Sequence, residues 1–381
     1  MKLIFYSNYL NHHQVLVADE LYRLLGDDYR FVATLPRNEK ELKGGLDYST
    51  RPYCLLAGET EAARAEGMRL AQEADVCVFG ACSQEYAVER ARQMDCGLSF
   101  EMGERWLKRG WKNIFSPRLI KWWINYRRYF HSQPFYKLCS SAFAASDDRK
   151  LFAYRGRHYK WGYFTAVDED YKVESPKLGV STLEITPHIM WCSRFLKLKH
   201  PELPIHMAAN LKSKGYRFIL DMYGSGEEET TTKSLACELG VEDVVRFHGA
   251  LPNAEILEVM RQHDIFLFTS DRYEGWGAVA NEAMANGCVL VASDAIGSTP
   301  YLIRDGVNGF SFASESVEAL TERVEWLLCQ PEQMRLMQRE ACYTMQEVWS
   351  PAKAASALMC LVDDLQHGRE CSIINGPCSK A

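Results

Sequence analysis

Nowhere in its 381 residues does the chain hold an apolar stretch approaching the roughly 20 residues that a membrane-spanning helix needs. The opening segment Met1–Ser7 is too short for a signal-peptide core and lacks a small-residue cleavage site, so it is expected to be the first strand of a protein that is soluble or peripheral to a membrane. Positive charge is scarce as well: the net charge is −6, which argues against a whole-surface grip on nucleic acid and confines any basic site to one region. The 13 cysteines include no C-x-x-C pair and no cysteine–histidine cluster at zinc spacing, so no metal is expected. Thiols such as Cys77, Cys192 and Cys288 sit in apolar runs as small hydrophobes, which suits a reducing compartment and gives the expectation of a cytoplasmic protein. Neither half opens with a strand followed by G-x-G-x-x-G, which disfavours a dinucleotide oxidoreductase. Internal repeats and low-complexity tracts are missing too.

What is present is 47% hydrophobic and 25% charged residues, enough for sizeable cores in a length that suggests two domains. Short apolar runs alternate with helix-length amphipathic segments, the pattern of parallel α/β domains. In the first half, strands are expected at Leu3–Ser7, Tyr29–Thr34, Val76–Gly80, Ser140–Ala144 and Tyr159–Phe164, with helices near His13–Leu25, Glu61–Glu73 and Glu85–Gln93. The mixed stretch Val167–Pro187 reads as a connection. A second series has strands at His188–Cys192, Arg217–Tyr223, Val244–Phe247, Ile265–Thr269 and Val289–Ala292. The expected organisation is an α/β protein with one Rossmann-like domain over 1–170, a second over 171–349, a helix over 350–366 and a flexible polar tail over 367–381.

The densest signal runs from Ile265 to Phe310: an apolar strand, Ser270-Asp271-Arg272-Tyr273-Glu274-Gly275-Trp276-Gly277, a helix, Gly287, a second apolar strand and Gly297. Gly275 and Gly277 bracket a turn where backbone can approach a ligand closely. A helix starting near Ala278 points free N–H groups at that turn, which suits a diphosphate. Glu282 lies eight positions after Glu274, so one carboxylate can sit in the loop and the other on the helix beneath it. Two carboxylates beside a diphosphate make sense when they accept hydrogen bonds from hydroxyls, one from a sugar ring and one from a ribose. Such a spacing recurs by chance; the strand, turn, helix and strand around it give it weight.

These residues resemble the retaining glycosyltransferases of the GT-B architecture, whose signature is a glutamate pair in E-x7-E, here Glu274 and Glu282. Ser193-Arg194-Phe195-Leu196 with Lys199 resembles that family's Gly-Arg-Leu…Lys-Gly segment, and Tyr223-Gly224-Ser225-Gly226-Glu227 its Gly-x-Gly-Glu nucleotide loop. Phe247-His248-Gly249 and Asp305-Gly306-Val307-Asn308-Gly309-Phe310 follow in order, so the match covers Ile189 to Phe310. The resemblance implies two Rossmann-like domains whose parallel sheets face a central cleft, with the last helix crossing back to the first domain. It also implies metal-independent, retaining transfer from a nucleotide-diphosphate sugar, with no cofactor besides that co-substrate.

The resemblance further implies that Arg194 and Lys199 clamp the diphosphate. By the same resemblance Glu274 and the backbone N–H groups of Gly275, Trp276 and Gly277 would hold the donor sugar, Glu282 would bind the ribose, and Ala278, Gly224, Ser225 and His248 would complete the donor-binding set. The resemblance implies that the leaving phosphate deprotonates the acceptor, and together with the aromatic-basic segment Ser116–Leu138 it gives the expectation of a saccharide or lipid-linked saccharide acceptor in bacterial cell-surface assembly. The chain departs from the family at Ser7–Gln14, where a glycine-rich turn is usual, and at Gly80-Ala81-Cys82-Ser83-Gln84, where a histidine is usual. Trp276 replaces the usual Phe, and Ser193 the usual Gly.

His12 and His13 have two open readings: cleft residues near the acceptor, or the start of the first helix. Asp168-Glu169-Asp170 is formally a metal-binding D-x-D but reads as a solvated acidic loop. Ser116–Leu138 interleaves Trp122, Trp123, Tyr126, Tyr129, Phe130 and Phe135 with Arg118, Lys121, Arg127, Arg128 and Lys137. Such a stretch lies in a membrane interface, at the inner face of the cytoplasmic membrane, or grips a lipid pyrophosphate acceptor, or else is a buried helix whose basic residues snorkel outward; nucleic-acid binding comes third, against the overall acidity. Glu101, Glu104 and Arg105 form a charged turn that orients an acceptor or pairs internally. Two rival functions fit the same architecture: a nucleotide-sugar epimerase or hydrolase, which turns over without acceptor, and a non-catalytic binding subunit, which binds without turnover.

Overall fold

The computed structural model describes residues 1–36, 48–93, 95–173 and 186–381. The chain forms two compact units, one of Met1–Ala166 with Val348–Ala381 and one of Val167–Glu347.

In the first unit β1 (Leu3–Ser7), β2 (Tyr29–Ala33), β3 (Cys54–Leu56), β4 (Val76–Phe79), β5 (Leu98–Gly103), β6 (Phe135–Cys139) and β7 (His158–Lys160) form a parallel sheet ordered β3-β2-β1-β4-β5-β6-β7. Every residue of β1 and β4 is buried, because helices cover both faces of a parallel sheet and leave no polar side to alternate. The helix Glu61–Glu73 starts where it does because the Thr60 hydroxyl accepts from the Ala63 amide at 3.1 Å. The helix Pro351–Gln366 packs against Val15–Leu25 within this unit.

The structure corrects two expectations here. Ser140–Ala144 is not a strand but a turn leading into the helix Ala144–Lys150; the strand is β6, just before it. The charge on Lys137 hides β6 in the sequence, yet its ammonium is buried and bonded to Glu101 of β5 at 2.7 Å. The tail 367–381 is not frayed either. Ser372 bonds Asp364 through its amide and hydroxyl at 2.8 and 2.7 Å, and Lys380 bridges antiparallel to Tyr159 of β7. The Cys378 amide donates to the Lys160 carbonyl at 2.7 Å. The tail thereby covers the open edge that β7 would otherwise expose.

In the second unit β8 (His188–Cys192), β9 (Ile219–Tyr223), β10 (Val245–Gly249), β11 (Ile265–Phe268), β12 (Val289–Ser293) and β13 (Gly309–Phe312) form a parallel sheet ordered β10-β9-β8-β11-β12-β13. Trp191, Leu220, Leu267 and Val291 carry its core. The chain builds outward from β8 through β9 to β10, then restarts beside β8 with β11 and builds the other way. The carboxyl ends of β8 and β11 therefore flank a topological switch point, where open α/β sheets form their binding crevice. In the first sheet β1 and β4 flank the corresponding point. The cysteines are all free thiols, and among the described residues no helix is long and apolar enough to cross a membrane.

Candidate active site

The loops after β8 and β11 are tied to each other at the switch point. The Trp191 indole N–H of β8 donates to the Thr269 hydroxyl at 2.9 Å, and that hydroxyl donates to the Lys199 carbonyl at 2.6 Å. The Asp271 amide donates to the Leu198 carbonyl at 2.9 Å. These bonds bring the Lys199 ammonium onto the Glu274 carboxylate, with both side chains largely buried. Arg194, directly beyond β8, is exposed and has no ion-pair partner among the described residues. The crevice thus combines one neutralised cation–anion pair with one unneutralised guanidinium.

Close backbone approach explains the glycines at two points. Gly224 has a φ of +129°, and a Cβ there would lie 1.8 Å from the Ser193 carbonyl oxygen, so the loops after β8 and β9 can touch only with glycine. Ser225 continues that contact, its carbonyl accepting from the Phe195 amide at 2.9 Å. Gly277 has a φ of +77°, and a Cβ there would lie 2.2 Å from the Phe268 ring. Gly275 is buried beside it. The Trp276 side chain is wholly buried, its indole N–H donating to Asn281 at 2.8 Å, so only its backbone can serve a ligand in this loop.

Ala278 is the cap position of the helix Val279–Ala285, which carries Glu282. The Glu282 carboxylate accepts from the Asn253 side-chain N–H at 3.2 Å, and burial pushes its pKa up, against the Asn253 bond, which lowers it. It is close enough to β8 to act on Cys192, whose thiol burial and then the Glu282 charge push up to about 12. Glu282 is therefore a largely buried carboxylate with no cation partner among the described residues.

His248 is less available. Its Nε2 bonds the Asp221 carboxylate at 2.6 Å, and its ring stacks on Tyr223 at 4.5 Å. The sequence reading missed Asp221 altogether, although an acidic residue inside the apolar run of β9 signals a buried charge that needs partners. His188 and His263 also bond Asp221, each at 3.2 Å. Burial opposes the charge of Asp221, but hydrogen bonds from His263, His248 and His188 hold its carboxyl below the usual carboxylate range. The ligand atoms of His188, Asp221 and His263 lie within 4.8 Å of one another, so this group could also hold a metal ion.

His12 and His13 lie in the first unit, after the carboxyl end of β1. The first helix runs from Val15 with Gln14 as its cap, so His12 and His13 lie in the turn that leads into it. Their rings approach to 3.7 Å, and His13 stacks on Tyr163 at 5.1 Å. The charged turn pairs internally: Arg105 with Asp147 at 3.2 Å, Glu104 with Lys108 at 2.6 Å, and Glu101 with Lys137. Asp168 of the acidic triplet pairs with Arg261 at 3.0 Å.

Two α/β units with parallel sheets define the GT-B class of glycosyltransferase folds, and solved structures bear this out. HepE of Anabaena, described in complex with UDP, superposes with a TM-score of 0.70 at 16% identity, covering 96% of this chain and 100% of its own. WaaG, described as a glycosyltransferase involved in lipopolysaccharide biosynthesis, superposes at 0.58 with 18% identity over 93% of this chain and 98% of its own. More particularly, residues 184–343 match the family model of glycosyl transferases group 1, so the second unit carries that family's segment.

Among curated relatives, a D-inositol 3-phosphate glycosyltransferase of Corynebacterium aurimucosum is 32% identical over 179 residues, 45% of this chain and 42% of the relative. The GtfA subunit of a UDP-N-acetylglucosamine–peptide N-acetylglucosaminyltransferase of Streptococcus pneumoniae is 27% identical over 139 residues, 36% of this chain and 24% of the relative. The chain thus spans less than half the length of these relatives.

Proposed function

We propose that the chain is a retaining glycosyltransferase that moves a sugar from a nucleotide-diphosphate sugar to a saccharide or lipid-linked saccharide acceptor in bacterial cell-surface polysaccharide or oligosaccharide synthesis. The observation that carries this reading is the Lys199–Glu274 ion pair at the carboxyl ends of β8 and β11, with the exposed Arg194 just beyond β8 in the chain. Two cations there neutralise a leaving diphosphate without a metal. As the diphosphate draws Lys199 toward itself, Glu274 is released to accept a hydroxyl of the donor sugar. Glu282, which accepts from Asn253 and has no cation partner among the described residues, accepts a ribose hydroxyl.

In the transfer itself the bond from the anomeric carbon to the diphosphate oxygen breaks, with its electron pair leaving on the diphosphate. The acceptor oxygen bonds the anomeric carbon on the same face and gives its proton to a leaving phosphate oxygen. Protein groups are needed only to hold and neutralise, which is what this crevice offers. Relatives described as UDP complexes and as a lipopolysaccharide enzyme support the donor class and the setting. Free thiols throughout suit a cytoplasmic location.

The test is proton NMR of the products formed from nucleotide sugars and candidate acceptors in EDTA. Acceptor-dependent release of nucleoside diphosphate with retained anomeric configuration is expected. An inverted product, turnover without acceptor, or binding without turnover overturns the reading.

A further inference from the structure

The first unit carries a surface that the donor site does not use. It is built by the 3-10 turn Gly110–Phe115 and the helix Pro117–Asn125. Leu119 and Trp122 turn inward, and Trp122 donates to Glu101 at 2.8 Å. Ile120, Trp123 and Ile124, spaced as one helical face, turn outward instead, 40–51% exposed. Trp111 and Phe115, on the turn that leads into this helix, are 61% and 78% exposed. Scattered exposed apolar residues are ordinary, but an outward apolar face on a helix that already has a buried one, with two more exposed aromatics on the adjoining turn, is not.

The charge around it is one-sided. No aspartate or glutamate occurs between Arg105 and Ser146, in a chain whose net charge is −6. Arg105, Lys108 and Lys137 are taken up by Asp147, Glu104 and Glu101. Arg109, Lys112, Arg118, Lys121, Arg127 and Arg128 have no carboxylate partner among the described residues. The sequence expectation for Ser116–Leu138 therefore divides: Trp122, Tyr126, Phe130 and Phe135 are core, while the exposed part begins earlier, at Trp111.

We infer that this surface docks on an anionic lipid bilayer. Tryptophan, phenylalanine and isoleucine side chains enter the headgroup–acyl boundary, and the surrounding cations meet lipid phosphates. Charge complementarity selects this occupant, since a second copy of the same face would set cation against cation. The inference rests on the transferase reading only in placing a lipid-linked acceptor within reach of the enzyme.

The full chain is sedimented with vesicles of phosphatidylcholine alone and of phosphatidylcholine with phosphatidylglycerol. Binding to the anionic vesicles alone is expected, weakening as salt rises. Arg118→Gln and Lys121→Gln each weaken it about fivefold, and Phe115→Ser weakens it further, while melting curves and nucleoside diphosphate binding stay unchanged. Failure of the wild-type chain to bind anionic vesicles overturns the inference, as does binding indifferent to these substitutions, or a dimer in ultracentrifugation that Phe115→Ser abolishes. Loss of nucleoside diphosphate binding by the wild-type chain would instead overturn the transferase reading and leave the vesicle result standing.

Discussion

Lys199 and Glu274, separated by 75 positions in the chain, form an ion pair at the carboxyl ends of β8 and β11. Each side chain holds the other in place, so whatever binds the lysine frees the glutamate. In the proposed reading that coupling links diphosphate recognition to sugar recognition in one crevice.

Glu274→Gln keeps the shape and removes the charge. Turnover is expected to fall about 10²- to 10³-fold, the loss typical of one preorganised electrostatic group. Nucleoside diphosphate affinity stays within about threefold, because Lys199 keeps its charge. Steady-state kinetics and calorimetry on the variant check both.

Glu282 gives a pH signature. Its carboxyl is raised by burial, so the protonated form favours the fold. Its contribution is complete below the unfolded value of about 4.3 and is lost as pH rises through the folded value. Glu282→Gln is expected to raise the melting temperature at neutral pH and to converge with wild type on acidification, while weakening nucleotide binding. A gain that grows as pH falls would contradict this.

Gly277→Ala places a methyl group 2.2 Å from the Phe268 ring on a backbone with a φ of +77°. A loss of about 1–3 kcal/mol in urea unfolding is expected. Unchanged stability would contradict the close packing of this loop on Phe268.

Much of this architecture was legible in the sequence, because β1, β8 and β12 are uninterrupted apolar runs bounded by polar turns. β5 was not, since Glu101 interrupts it; that carboxylate is satisfied by Trp122, Lys137 and Tyr154, whose distance along the chain hides the match. The loop after β11 was legible as a site because its glycines and carboxylates are local. The histidines around Asp221 were not, because β8, β10 and the turn before β11 bring them together only in the folded sheet. Nor does composition reveal that the polar tail pairs with β7, a contact set by an open sheet edge.

Removal of residues 367–381 tests that last contact. The melting temperature is expected to fall and aggregation to rise as the β7 edge opens, with nucleoside diphosphate binding unaltered because the proposed donor residues lie in the other unit. Identical melting curves would contradict the docking of the tail.

The most direct test of the donor site is calorimetric titration of the wild-type chain and Arg194→Ala with UDP, GDP and ADP in EDTA. The account predicts that one nucleoside diphosphate binds wild type without metal, and that Arg194→Ala weakens it by about 1.5–3 kcal/mol, the worth of a hydrogen bond to a charged group, with an unchanged melting temperature. Absence of binding to any of the three, or equal binding by the variant, would contradict it.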